Sequence, residues 1–396
     1  MISKKMIPLV NNNSVIRAMF EEGKIMAAKY GAENVFDFSI GNPNVPAPAE
    51  VKEAILDIIE NEDPVKVHGY MSNAGFEETR AAVAGNLNRR FGTDFSEKNI
   101  IMTVGAGSAL NVLLKTMLDP GDEVVTFAPY FVEYGNYVRN YDGKLVVVPA
   151  NPEGNFMPKM DEFAAAITPR TKAVIINNPN NPTGVIYPES VIREIAAVLE
   201  SKQAEYGTVI YLVSDEPYRE LAYGGAEVPY LTKYYANTVV GYSYSKSLSL
   251  PGERIGYIVI PDESHESQEF IDAATIANRV GGFVNAPSLI QLVIARCVDA
   301  KCNVEYYENN GKTLYEGLTK AGFSCVKPEG AFYLWMKSPI EDDKEFVNIA
   351  KKYNILMVPG SSFAGPGYVR ISYCVSHEQI VRSLPKFEAL AKEFGL

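Results

Sequence analysis

The sequence predicts an α/β fold: a large domain with a mostly parallel sheet between helices, then a smaller α+β domain. Two observations predict it. Short apolar, β-branched runs alternate with helix-like stretches over most of the 396 residues. Such runs, apolar at every position, suit strands buried on both faces of a parallel sheet. From Pro287 onward the pattern changes to helices mixed with shorter strands.

The elements follow in order. Residues 14–30 place Val15, Ile16, Met19, Ile25 and Met26 at helical spacing. FDFSIGNPN and a turn around Pro43, Pro46 and Pro48 come next. Strand-like runs then begin at Ile100, Glu123, Leu145, Ala173, Val209, Thr238 and Arg254. Helical stretches between them include SALNVLLKTML from Ser108 and ESVIREIAAVLE from Glu189. FSCV, AFYLWM, ILMVPG and YVRISYC supply the strands of the last part. The expected division is an N-terminal segment 1–40 packing with the small domain, a large domain 41–282, and a small domain 283–396.

Composition narrows the function. Apolar residues make up 47% and charged residues 21%, as in ordinary globular enzymes. With 37 basic and 48 acidic residues, the net charge of −11 argues against a nucleic-acid partner. Cys297, Cys302, Cys325 and Cys374 form no CxxC pair, and His68, His265 and His377 lie far apart, so no metal site is expected. No apolar run approaches the ~18 residues of a membrane span. MISKKMIPLVNNN lacks the apolar stretch of a secretory leader. A cytoplasmic location is the expectation.

In open α/β sheets, ligands sit at the carboxyl ends of the strands. Five segments there carry chemistry. TVGAGSAL, from Thr103, joins a strand to a helix through Gly105, Ala106 and Gly107, whose small size lets a phosphate approach the free amides. NNPNNPTG, from Asn177, follows the strand AVII. Asp215 ends an apolar strand, with Tyr218 after it. YSYSKSLSLPGERIGY, from Tyr242, holds Lys246 among hydroxylated residues and Arg254 beyond. Arg370 stands in the apolar strand of GYVRISYC, where a charge is costly unless it binds an anion. Singly, each of the first four has a bland reading: a tight turn, a surface loop, a helix cap, a solvated lysine.

Together and in this order, NNPTG, D-x-x-Y, S-x-S-K, R-x-G and the later Arg resemble the class I aminotransferases of the aspartate aminotransferase family, with pyridoxal phosphate (PLP) fold type I. The resemblance runs from about Ser39 to Arg370. It implies a PLP enzyme that moves an amino group between an L-amino acid and a 2-oxo acid, 2-oxoglutarate foremost. By this resemblance Lys246 forms the imine with PLP and moves the α-proton of the substrate. Asp215 faces the pyridine nitrogen, Tyr218 and Asn181 face the ring oxygen, and Phe131 (or its neighbour Tyr130) stacks on the ring. Gly105, Ala106, Gly107, Ser243, Ser245 and Arg254 cradle the phosphate. Tyr70 matches a tyrosine that reaches the phosphate of a neighbouring subunit, which implies a homodimer with shared sites. Arg370 pairs with the substrate α-carboxylate, helped by Asn181 and Gly41. The Asn181–Pro182 bond is expected to be cis.

One departure leaves the substrate open. Where aspartate-specific relatives carry an arginine, this chain has Val280, with Arg279 one residue off register. Arg17 is another reader of a side-chain carboxylate; solvated surface charge is the bland reading for both arginines. Aspartate and neutral or aromatic donors all remain open, and the alternative chemistry on the same fold is a C–S lyase or decarboxylase.

Overall fold

The computed structural model describes residues 2–11 and 15–396. In chain order its strands are β1 (Phe36–Asp37), β2 (Ile100–Thr103), β3 (Glu123–Phe127), β4 (Lys144–Val148), β5 (Thr171–Asn177), β6 (Tyr211–Asp215) and β7 (Thr238–Ser243). Then come β8 (Gly256–Val259), β9 (Cys325–Val326), β10 (Tyr333–Lys337), β11 (Ile355–Leu356), β12 (Val358–Pro359) and β13 (Tyr368–Ser372). The seven runs expected before Pro287 form one seven-stranded sheet in the order β2-β8-β7-β6-β5-β3-β4. All neighbours are parallel except β8, which is antiparallel to β2 and β7.

Helices cover both faces, which is why the strands read as continuous apolar runs. Ile101, Val124, Val213, Val239 and Ile258 pack under the helices Ala106–Met117, Glu133–Asn140 and Ser267–Val280. Their neighbours one residue along face the other way. Met102, Val240 and Val259 meet the helices Ala49–Asn61, Glu77–Phe91 and Ser288–Cys297, while Val125, Val174 and Leu212 meet the helix Glu189–Tyr206.

The last part builds a four-stranded antiparallel sheet, β12-β13-β10-β9. The helices Val304–Lys320, Asp343–Ala350 and His377–Glu393 close its core around Tyr307, Phe346 and Phe387. The N-terminal segment joins this part, because β1 pairs in parallel with β11 and Lys351 bridges Glu22 at 2.7 Å. The helix Ser288–Cys297 lies past residue 282, yet its Ile290, Leu292 and Val293 belong to the core of the large sheet.

Leu113 is wholly buried between its helix and the sheet. Leu113→Ala is expected to lower the unfolding free energy by about 2–5 kcal/mol, the cost of lost burial plus a cavity. Urea denaturation measures it; an unchanged midpoint would show that the helix does not depend on this contact.

Candidate active site

The phosphate-like end is built by three turns. After β2 the chain passes through Gly105, at φ 83°, into the helix Ala106–Met117. A side chain at Gly105 would begin 2.8 Å from Arg254 Nη2, so glycine lets the guanidinium lie against the backbone. Arg254 is itself left-handed at φ 51° and donates to the Pro251 carbonyl at 2.9 Å. Ser243 ends β7 and caps the short helix Tyr244–Ser247: its Oγ accepts from the Ser245 amide at 3.0 Å and lies 2.6 Å from Ser245 Oγ. Lys246 therefore sits on a helical turn. Ala106, Gly107, Ser243, Ser245 and Arg254 line one end of a cavity of about 330 Å³.

Asp215 closes another side. It ends β6, is 3% exposed, and accepts from the Tyr134 hydroxyl at 2.6 Å through Oδ2. Its Oδ1 is buried with no partner among the described residues. Burial pushes its pKa up to about 7; the Tyr134 hydrogen bond opposes the rise and Glu216 adds to it. Asn177 ends β5, donating to the Asp215 carbonyl at 2.9 Å and accepting from the Asn181 amide at 2.7 Å. The Asn178–Pro179 and Asn181–Pro182 bonds, like Ala128–Pro129, are cis. Phe131 lines the cavity with its ring edge-on to Tyr134 at 5.7 Å. Tyr130 is not among the lining residues.

Lys246 reaches the cavity from the third side. Its Nζ donates to the Gly41 carbonyl at 2.7 Å and stands 5.1 Å from the centre of the Phe332 ring. Burial lowers its pKa to about 8, with Arg370 and Arg254 contributing in the same direction and Cys374 opposing. Tyr218 shares a 2.9 Å hydrogen bond with the Tyr333 hydroxyl.

Arg370 forms the remaining wall. It is 2% exposed on β13, with its guanidinium between the rings of Tyr333 (4.4 Å) and Phe363 (4.7 Å). Nη1 donates to Asn181 Oδ1 at 3.0 Å and Nη2 to the Ser39 carbonyl at 2.7 Å, while Nε has no partner among the described residues. No carboxylate of the described residues pairs with this buried cation, so it offers its charge to a carboxylate brought from outside.

The cavity thus gathers Gly41, Ala106, Gly107, Phe131, Asn181, Asp215, Tyr218, Ser243, Ser245, Lys246, Arg254 and Arg370, with Gly105 directly behind Arg254. Tyr70 is not among them: it is 96% exposed. Arg279 and Val280 are exposed too. The side chain of Arg17 lies outside the described residues. Sequence reasoning passed over Tyr134, Tyr137, Asn177 and Tyr333. Asn177 opened the NNPNNPTG segment without a role of its own, and Tyr134 carried a local hint, three residues past Phe131 at the start of a helix. No three His, Cys, Asp or Glu among the described residues could hold a metal, and no described helix is long and apolar enough to cross a membrane.

These residues fit pyridoxal phosphate. A doubly charged phosphate suits the helix start with Ser243 and Arg254. A protonated ring nitrogen suits the free oxygen of a buried carboxylate. An aldehyde needs an amine with a lowered pKa, and the lysine has one.

A pH dependence follows from Asp215. Its ordinary pKa is 3.8, and burial in the fold raises it to about 7. Between these values the folded chain holds more protons than the unfolded chain, so stability falls as pH rises through that window and stays low above it. Cofactor-free Asp215→Asn should therefore melt above the cofactor-free parent at pH 8, the two converging below about pH 4. Thermal unfolding at both pH values checks this, and a gap independent of pH would refute it.

Comparison with known proteins agrees with this chemistry. The family model for aminotransferase class I and II matches residues 33–386. A probable aspartate/prephenate aminotransferase of Thermus aquaticus is 35% identical over 353 residues, 88% of this chain and 89% of that protein. The crystal structure of an amino transferase from Eubacterium rectale superposes with a TM-score of 0.98 at 45% identity, covering 100% of both chains. The aspartate aminotransferase of Thermus thermophilus with maleate gives 0.87 at 29% identity, covering 98% of this chain and 99% of that one. The chain belongs to the class I and II aminotransferases, in the aspartate aminotransferase family, and is a pyridoxal-phosphate-dependent enzyme that acts on amino acids and 2-oxo acids.

Proposed function

We propose that the chain takes the amino group of an L-amino acid through Lys246 and passes it to a 2-oxo acid, with 2-oxoglutarate as acceptor. One observation carries this reading: the buried guanidinium of Arg370, unpaired with any described carboxylate, lines the same cavity as the Lys246 amine. Carboxylate and amino group of an α-amino acid would meet these two groups together.

Bound pyridoxal phosphate supplies an aldehyde for the amine and a ring that accepts the electron pair left by the α-proton. The residues do the rest. Asp215 would keep a positive charge on the ring nitrogen. Tyr218 and Asn181 would hydrogen-bond the ring oxygen, and Phe131 would pack on the ring. Ala106, Gly107, Ser243, Ser245 and Arg254, with Gly105 behind them, would hold the phosphate. Arg370, Asn181 and Gly41 hold the substrate carboxylate. Lys246, with its pKa near 8, exists partly as free amine near neutral pH and can take a proton from the substrate α-carbon.

The substrate side chain is less constrained. Lys246, Arg254 and Arg370 are the cations lining the cavity among the described residues, and each has a task above. A side-chain carboxylate would therefore need a charge from elsewhere, Arg279 of a second copy or Arg17. Aspartate and neutral or aromatic amino acids are the proposed donors. The Thermus relatives are named for aspartate and prephenate, and one of their structures holds maleate.

A homodimer is part of this proposal. Val65, Tyr70, Val280 and Phe283 are exposed. They sit on neighbouring segments, since Asn285 donates to the Ser72 carbonyl at 2.7 Å and Ser288 Oγ to the Val67 carbonyl at 2.6 Å. A second copy would cover this surface and bring Tyr70 to the partner's phosphate. We divide the chain into a large cofactor domain that keeps the helix Ser288–Cys297, a small domain from Val304, and an N-terminal segment on the small domain. The four cysteines are free thiols, which suits the proposed cytoplasmic location.

An amino-acid panel with 2-oxoglutarate, read as glutamate formed, tests the function; release of ammonia with no acceptor present would overturn it in favour of a lyase. Lys246→Ala should be inactive and lose the cofactor's imine absorbance. Arg370→Ala should lower kcat/KM about 10²- to 10⁴-fold, the loss of two charge-assisted hydrogen bonds. Activity near that of the parent would remove Arg370 from the site.

A further inference from the structure

The geometry points to the Tyr137 hydroxyl as an additional ligand of the cofactor phosphate, standing in the space that a side chain at Gly107 would otherwise take. The inference rests on the cofactor reading above and adds a donor to it. Tyr137 lies one helical turn beyond Tyr134 in Glu133–Asn140, so the two share one face of that helix. Tyr134 is spent on Asp215. Tyr137 lines the cavity with the phosphate group of residues, and its hydroxyl has no hydrogen-bond partner among the described residues.

Position decides what that hydroxyl can meet. A Cβ built on Gly107 would lie 3.0 Å from Tyr137 Oη and 3.8 Å from its Cζ. Gly107 is in the first turn of Ala106–Met117, whose amides point along the helix axis at an incoming anion. The phenol thus flanks the amide from the neighbouring helix. A phosphate monoester offers three strong acceptor oxygens, so a phenol can add to the amides, Ser243, Ser245 and Arg254. Burial, with Glu133 and Asp215 adding, pushes the phenol up to about 12 against the pull of Arg254, so it stays a neutral donor at ordinary pH. The same geometry explains why position 107 carries no side chain: a methyl there would crowd the hydroxyl.

The test titrates cofactor-free protein with pyridoxal phosphate and with pyridoxal, which lacks the phosphate, following absorbance. Tyr137→Phe keeps the ring and removes only the hydroxyl. It should weaken pyridoxal phosphate about tenfold, the worth of one hydrogen bond to a charged group, and leave pyridoxal unchanged. Gly107→Ala should produce the same selective loss by displacing the phenol, and the double variant should be no worse than the weaker single one. Unchanged affinity in Tyr137→Phe, or equal weakening of both compounds, would overturn the inference and leave Tyr137 a packing residue. Failure of the parent chain to bind pyridoxal phosphate would instead overturn the cofactor reading itself, and this inference with it.

Discussion

A carboxylate buried at the end of a strand, with one of its two oxygens unsatisfied, sets the terms for everything around it. Asp215 is destabilised by its surroundings, and its pKa rises toward neutrality as a result. The Tyr134 hydroxyl and the Asn177 amide satisfy only one side of it. A cation placed at Oδ1 would relieve the cost, so burial of Asp215 favours binding of a protonated ring nitrogen. The sheet makes the arrangement rigid. Asn177 and Asp215 are opposite each other in the β5–β6 register, so neither can move without breaking the ladder.

The second organising feature is the junction at Arg370. Its guanidinium reaches from β13 of the C-terminal part to Asn181 after β5 and to the Ser39 carbonyl of the N-terminal segment. Tyr333, from β10, lies under that guanidinium and also bonds Tyr218 beyond β6. One tyrosine thus touches both the carboxylate-reading group and a cavity hydroxyl. Movement of the C-terminal sheet relative to the large one would change the Tyr333–Tyr218 and Arg370–Asn181 contacts at once.

Much of this was legible in the sequence, for a physical reason. Strands buried on two faces must be apolar throughout, and all seven strands of the large sheet could be read that way. The chemistry sits at their carboxyl ends, so Asp215, Asn181 and Arg254 could be found by where they fall. The rest depends on approach in space. Tyr134, Tyr137 and Tyr333 look like core aromatics, and only the packing of one helix and a distant strand brings Tyr137 and Tyr333 to the cavity and Tyr134 to Asp215. The short helix under Lys246 was hidden because four residues held by a serine cap leave no periodic trace. The helix Ser288–Cys297 was readable as a helix, but periodicity does not say against which core a helix packs.

The charge of the chain gives the cavity one more property. The whole molecule carries −11, yet among the described residues the cavity lining holds Lys246, Arg254 and Arg370 against the single carboxylate of Asp215. At physiological salt the attraction of these cations reaches only about a Debye length from the mouth, ~8 Å. Capture therefore gains little from long-range steering and depends on close desolvated contact. Small inorganic anions such as sulfate and phosphate pass the same filter, so they compete for the mouth directly, and ionic strength acts on occupancy more than on the rate of encounter.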